Sequence, residues 1–592
     1  MPPPPSEPAP GLVDRVQSFV SENKTALLVG AAVLAAGGAA YYAASSSSSP
    51  SDKKKKPPST KKRKTVKDAD GPILEERKPK AKPAQEAEEV VPPTPAALEA
   101  MDTEARKDLA ASYKSKGNAA YSAKKFDAAA RLYTLAIEVS PKPEPVYFSN
   151  RAACYVNMEP PQLEPAVLDC DEALKLDPNY LKALNRRAGV LERLHRYVEA
   201  LRDFTAATIL EKFANQNAAA AVERVLKKLT AEKAAEILAS REPQLPSFTF
   251  VSAYFAAFRP RPLPNVSEPP STGDSTLLLA LDALKAEDFP HALTLINEAL
   301  AQDISTKEAR AEALNLRGTF RFLTGDVKEA QADLQESIRL LPNFTQSLVK
   351  LASVHMEQGD PEKAFEAFDA AIAQNADDPD IYYHRGQVLF IMNEFADAAE
   401  NYTKSSTLDD GFVFSHIQLA VAQFKLGNLA NSMATFRRTL KAFPTRSEPQ
   451  NYYGELLLDQ GRFEEAVEKF ERAAEIEAGR ERNRNVLPLV NKGLAMYQWK
   501  QDLKAAEECC LEALAIDPEC ETAVATLAQL TLQQGSIEKA VELFERQAEL
   551  ARSEPELVNA LTYRYASESQ LEFMKAYPAM AAEMRAMAMA MN

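Results

Sequence analysis

The feature that most constrains this chain is a period. From about residue 105 onward, small residues and aromatics recur roughly every 34 positions. Gly117, Ala129, Tyr133 and Ala136 mark one block, Ala152, Tyr155, Ala166 and Ala173 the next, and Ala188, Ala200, Phe204 and Ala207 a third. After a gap the pattern resumes near Ser275 and runs through Gly318 and Leu334, Ala352 and Phe368, Gly386 and Tyr402, Ala420 and Phe436, Gly454 and Phe470, Gly493 and Ala505, to Ala528 and Phe544. Each block reads as two helices that cross at the small residues, with the larger side chain filling the gap. One such hairpin cannot bury its own apolar face, so neighbours must stack. The count is three repeats before the gap and eight after it. At 592 residues the chain is too long for a single core, and its alanine-rich, glycine-poor composition suits an all-α solenoid.

The gap has its own character. Residues 213–240 carry a helical pattern, and Pro243, Pro246, Pro260, Pro262 and Pro264 then rule out a continuous helix. Phe248, Phe250, Tyr254, Phe255 and Phe258 are too apolar for a free linker, so this segment is expected to dock on the repeats. A helix near Glu554 to Ala576 is expected to cap the stack, and the Met-rich tail to Asn592 to fray.

The N-terminal region differs from the rest. Thr25 to Ala44 contains no charge and would span roughly 30 Å as a helix, one hydrocarbon core. The run is longer than the core of a cleaved secretory signal, and the residues before it are nearly neutral, so a retained anchor is expected. Lys53 to Lys56 and Lys61 to Lys64 follow it. A basic flank on this side keeps the C-terminal bulk in the cytosol. The second cluster could be a nuclear signal, but beside a membrane span it suits contact with lipid headgroups better. Residues from Ser45 to about Leu98 are rich in Ser, Lys, Pro and Glu and read as a disordered tether with an r.m.s. reach of roughly 40 Å.

The array consumes the chain, which bears on chemistry. His195, His291, His355, His384 and His416 lie in different repeats. No nucleophile elbow, phosphate-binding glycine loop or paired-histidine zinc motif is present, so neither an enzyme nor a bound cofactor or metal is expected. Cys154, Cys170, Cys509, Cys510 and Cys520 form no Cys-x-x-Cys pair and read as reduced core thiols. A net charge of -14 argues against general nucleic-acid binding.

One stretch is more explicit. Tyr113 to Arg186 contains YKSKGNAAY, YFSNRAACY and LKALNRRAGVL, each opening a repeat. Lys114 and Asn118 are one turn apart and share a helix face, as do Lys182 and Arg186, with Asn150 on the helix between. Stacked repeats turn their first helices to one concave surface, so these three cations and two amides should converge, with no acid expected nearby, on a ligand bearing carboxylates.

These phrases resemble tetratricopeptide repeats, and the five residues fill the two-carboxylate clamp pattern of repeat co-chaperones. The resemblance implies that Lys114, Asn118, Asn150, Lys182 and Arg186 hold the free C-terminus, ending Glu-Glu-Val-Asp, of cytosolic heat-shock chaperones of the 70- and 90-kDa classes. The whole order of anchor, basic tether, three clamp repeats, aromatic break and eight repeats resembles the family of 70-kDa preprotein receptors of the mitochondrial outer-membrane translocase. That likeness implies binding of mitochondrial preproteins, especially hydrophobic carriers, and hand-over to other translocase subunits.

The expected division is an N-terminal segment at 1–24, an anchor at 25–44, a tether at 45–104, a clamp domain at 105–212, a connector at 213–272, an eight-repeat domain at 273–550 and a capping helix and tail at 551–592. The expected fold is an all-α tetratricopeptide-repeat superhelical solenoid with one N-terminal transmembrane helix. In the later repeats the inner row holds His384, Gln418, Tyr452 and Asn491, flanked by Asn451 and Glu455. Polar side chains with an aromatic and apolar neighbours suit an amphipathic peptide, and these six are the candidate preprotein groove. The alternative is a chaperone-docking scaffold of the cytosol or endoplasmic reticulum membrane that shares the clamp and binds no preprotein.

Overall fold

A computed structural model of the chain describes residues 94–591, all of them helices and connecting turns. The expected anchor and tether lie outside the described residues, apart from the last part of the tether. No described helix is long and apolar enough to cross a membrane.

A short α1 (Pro95–Glu99) leads into three helical pairs: α2 (Thr103–Ser122) with α3 (Phe126–Val139), α4 (Pro145–Asn157) with α5 (Leu163–Leu176), and α6 (Leu181–Arg193) with α7 (Tyr197–Leu210). The long α8 (Gln216–Ser240) and the short α9 (Phe248–Ala256) follow. Eight further pairs come next: α10 (Thr272–Lys285) and α11 (Phe289–Ala301), α12 (Lys307–Leu323) and α13 (Val327–Leu340), α14 (Thr345–Glu357) and α15 (Pro361–Gln374), α16 (Pro379–Ile391) and α17 (Phe395–Leu408), α18 (Val413–Lys425) and α19 (Leu429–Ala442), α20 (Glu448–Asp459) and α21 (Phe463–Ala478), α22 (Leu487–Lys500) and α23 (Leu503–Ile516), α24 (Glu521–Gln533) and α25 (Ile537–Leu550). Then α26 (Glu554–Ala576) and α27 (Pro578–Met591) close the chain.

The spacing of small and large residues has a direct geometric reason. A Cβ on Gly117 would lie 2.9 Å from the Tyr133 ring, one on Gly386 2.8 Å from Tyr402, and one on Gly454 2.6 Å from Phe470. The first helix must lack a side chain there because the second helix places an aromatic against its backbone. Helix starts are fixed by aspartates whose side chains accept the third amide, as at Asp326, Asp360 and Asp502, with proline in the first turn at Pro145, Pro361 and Pro379. A second device recurs inside the pairs. Arg151 is held by Asp169, Arg187 by Asp203 and Asp171, and Arg317 by Asp333, each a first-helix arginine on a second-helix acid of its own repeat or the one before.

The described chain forms two compact units. One comprises residues 94–233 together with 565–591, the other Ala234–Arg564. The segment expected as a capping helix and tail packs in the first unit from Tyr565 onward. Phe573 and Met584 sit in one core with Leu174, Leu184, Ala206 and Ile209, and the Tyr577 hydroxyl donates to the Pro178 carbonyl at 2.7 Å. The tail is helical and packed at least through Met584 because its apolar face meets the exposed ends of α5, α6 and α7, which three repeats alone leave uncovered. All five cysteines are buried and unpaired, and burial pushes the thiols of Cys154, Cys170 and Cys510 up to about 12.

Candidate functional site

In the first unit, α2, α4 and α6 are successive first helices, and they carry the five residues expected to form a clamp, all half-buried. The amide of Asn150 donates to Asn118 Oδ1 at 3.4 Å, and the Tyr133 hydroxyl donates to the same oxygen at 2.7 Å. Arg186 Nη1 donates to the hydroxyl and carbonyl of Ser149, the residue before Asn150. Asn118, Asn150 and Arg186 are thereby tied across three repeats. Lys182 lies one turn before Arg186 on α6, and Lys114 one turn before Asn118 on α2.

The neighbouring arginines show how the fold separates structural from available charge. Arg151 and Arg187 point to buried aspartates, whereas Arg186, one residue earlier, turns to Ser149. One acid does stand near the clamp. Glu144 Oε2 is 4.0 Å from Lys114 Nζ, and both side chains are partly in solvent. The expectation of a site without a nearby acid is corrected. The sequence hid this because Glu144 sits at the helix start of the next repeat. An exposed pair at this separation is worth roughly 0–1 kcal/mol.

In the second unit the six groove candidates separate. His384 is covered: its ring stacks on Phe258 of the connector at 4.2 Å between centroids, and its Nδ1 meets Gln387. Burial holds its pKa down at about 3. Gln418 is half-buried on α18. Asn451, Tyr452 and Glu455 line a cavity of about 790 Å3, walled on one side by Phe248, Ser252 and Phe255 of α9. Asn491 donates to Asn451 at 3.1 Å and to Glu455 at 2.9 Å.

The connector explains this split. Phe255 stacks on Phe289 at 5.6 Å and meets Phe320 at 5.4 Å. Arg259 pairs with Asp380 and Asp409 and lies 4.0 Å over the Phe412 ring, and Arg261 lies 4.0 Å over Phe344. Lys350, a residue sequence reasoning missed, is buried with its ammonium 4.9 Å over Phe258 and 2.8 Å from Asn315 Oδ1. Burial pushes its pKa down to about 7. The connector aromatics in the sequence were the signal for this contact; which repeats they meet was not encoded locally.

Comparison with known proteins fits both units. A family model described as Tetratricopeptide repeat matches residues 277–343, 349–405 and 417–481. The human mitochondrial import receptor subunit TOM70 is 30% identical over 503 residues, covering 79% of this chain and 81% of the relative. The chain belongs to the TOM70 family. The Saccharomyces cerevisiae TOM70 is 28% identical over 509 residues, with 79% of this chain and 81% of the relative covered. The crystal structure of yeast Tom70 superposes with a TM-score of 0.52 at 29% identity, covering 81% of this chain and 99% of that one. As a TOM70-family member with an all-helical repeat fold, the chain has the role of a mitochondrial import receptor.

Proposed function

We propose that this receptor docks cytosolic heat-shock chaperones by their acidic C-terminus and takes the preproteins they carry into the cavity of the eight-repeat unit. The observation that carries the first half is the link from Asn118 through Asn150 and Ser149 to Arg186. It holds two amides and an arginine in fixed positions while Lys114 and Lys182 add charge. A C-terminal aspartate brings two carboxylates, and charge-assisted bonds to them are worth roughly 1.5–3 kcal/mol each. The second half is supported by the 790 Å3 cavity, whose walls combine aromatic and amide side chains. Residues 25–44 are proposed to anchor the chain in the mitochondrial outer membrane with its bulk in the cytosol, where other translocase subunits receive the preprotein.

The test is a titration of the whole chain with a peptide ending Glu-Glu-Val-Asp, as free acid and as C-terminal amide. The free acid should bind well above the amide. Equal affinity would show that the site does not read a free C-terminus. The whole chain is required because Phe573, Tyr577, Met580 and Met584 complete the core with α5, α6 and α7.

A further inference from the structure

In most repeats the small residue of the first helix stands sixteen positions before an aromatic of the second. Phe204, Phe368, Phe436, Phe470 and Phe544 fill that position with a buried ring and no polar atom. Two repeats use tyrosine there, Tyr133 and Tyr402, both also buried. The Tyr402 hydroxyl has no hydrogen-bond partner among the described residues, and Gln387, which corresponds to Asn118, is bound to Tyr383 and His384. The Tyr133 hydroxyl donates to Asn118 Oδ1 at 2.7 Å. Packing needs only the ring, so this hydroxyl has a part that packing does not explain.

An asparagine amide has two ends of similar shape and opposite character. Its oxygen accepts and its nitrogen donates. A carboxylate is held by the nitrogen and repelled by the oxygen. Asn118 Oδ1 already takes two donors, the Tyr133 hydroxyl and, at 3.4 Å, the Asn150 amide. The hydroxyl makes the shorter and stronger bond. The Asn118 nitrogen has no protein acceptor among the described residues. Gly117 makes this arrangement possible, because a Cβ there would lie 2.9 Å from the Tyr133 ring and push it away. Burial pushes the Tyr133 hydroxyl well above the ordinary tyrosine range, so it stays protonated and remains a donor. Asn150 and Arg186 also lie close to it.

We propose that Tyr133 is a positioning residue of the clamp: it holds the oxygen of Asn118 inward, so that the amide nitrogen is presented to a carboxylate of the bound C-terminus. This rests on the reading of Asn118, Asn150 and Arg186 as a carboxylate site. Tyr133 is buried behind Asn118 and acts through it. Without the hydroxyl the amide is free to turn, and for part of the time it offers its oxygen to the carboxylate.

The experiment uses the whole chain and the peptide ending Glu-Glu-Val-Asp, as free acid and as C-terminal amide. Tyr133→Phe keeps the ring against Gly117. It should weaken binding of the free acid about three- to tenfold, the scale of one lost neutral hydrogen bond. Asn118→Ala should weaken binding and leave it measurable, since Lys114, Lys182 and Arg186 remain. In that background Tyr133→Phe should change the affinity by less than about twofold, because the group it positions is gone. Tyr402→Phe makes the same chemical change at the corresponding position and should leave binding unaltered. Unchanged affinity in Tyr133→Phe would overturn the inference and leave the carboxylate site standing. An equal loss with and without Asn118 would also overturn it, by showing that the hydroxyl supports the repeat rather than the amide. Equal binding of acid and amide by wild type would overturn the carboxylate reading itself, and the inference with it.

Discussion

Phe258 lies flat on His384, with ring centroids 4.2 Å apart and planes 25° from parallel. Both rings are buried, and the pair joins the connector to the inner wall of repeats counted more than a hundred residues later. The connector is thus part of the eight-repeat core. Phe258→Ala should destabilise the unit Ala234–Arg564 by about 3–5 kcal/mol, the usual loss for a buried phenylalanine. Denaturant unfolding of the full chain measures this, and an unchanged midpoint would show that the connector is only loosely held.

The glycines of the repeats should respond in two ways. Gly454→Ala places a methyl 2.6 Å from the buried Phe470 ring. Despite the better helix propensity of alanine, it should lose about 1–3 kcal/mol through overpacking. A Cβ on Gly461 would meet nothing within 4 Å, but its φ is +71°. Gly461→Ala should lose about 1 kcal/mol through backbone strain alone. Thermal unfolding compares the two, and a stabilised Gly454→Ala would refute the packing explanation.

At the clamp, Arg186→Ala should weaken the Glu-Glu-Val-Asp peptide roughly 10- to 100-fold. Arg186→Lys should recover only part of this, since an ammonium lacks the planar fork. Ser149→Ala removes a hydroxyl that holds Arg186 and should weaken binding by a smaller factor. Isothermal titration at two salt concentrations should show a shallower salt dependence in Arg186→Ala than in wild type.

Burial raises Glu455 from 4.5 to about 7 in the folded chain. The folded state therefore holds this proton more tightly than the unfolded state. Its contribution to stability is complete below pH 4.5 and is lost as pH rises toward 7, by about 3 kcal/mol. Glu455→Gln should remove this part of the pH dependence. Chemical unfolding at pH 5 and pH 8 measures the difference between wild type and variant, and parallel pH profiles would count against the raised pKa.

Phe573→Ala should destabilise the unit containing the clamp, again by about 3–5 kcal/mol, although Phe573 is nearly four hundred residues from Arg186. Hydrogen exchange resolves which unit responds. Loss of protection in α20–α25 rather than α5–α7 would contradict the packing.

The sequence by itself determined the helical pairs, their number and the placing of Lys114, Asn118, Asn150, Lys182 and Arg186 on three successive first helices, because each rests on spacing within one or two repeats. Gly386 and Tyr402 are sixteen residues apart and meet by helix geometry alone, and Lys182 and Arg186 share a face for the same reason. Only the tertiary structure decided what rests on separations of a hundred residues or more. Nothing local in Phe258, Arg259 or His384 says that they meet, so His384 reads from sequence as an open groove position when the connector covers it. Phe573 in the core of α5, α6 and α7 was decided in the same way. Glu144 near Lys114 and Glu455 between two amides lie within about one repeat of their partners, but they turn on side-chain directions that the repeat spacing does not encode. Repeats fix each helix against its neighbour through a short, recurring code. Which non-repeating segment packs on the repeats, and which charges that leaves unpaired, follow from side-chain packing within each unit.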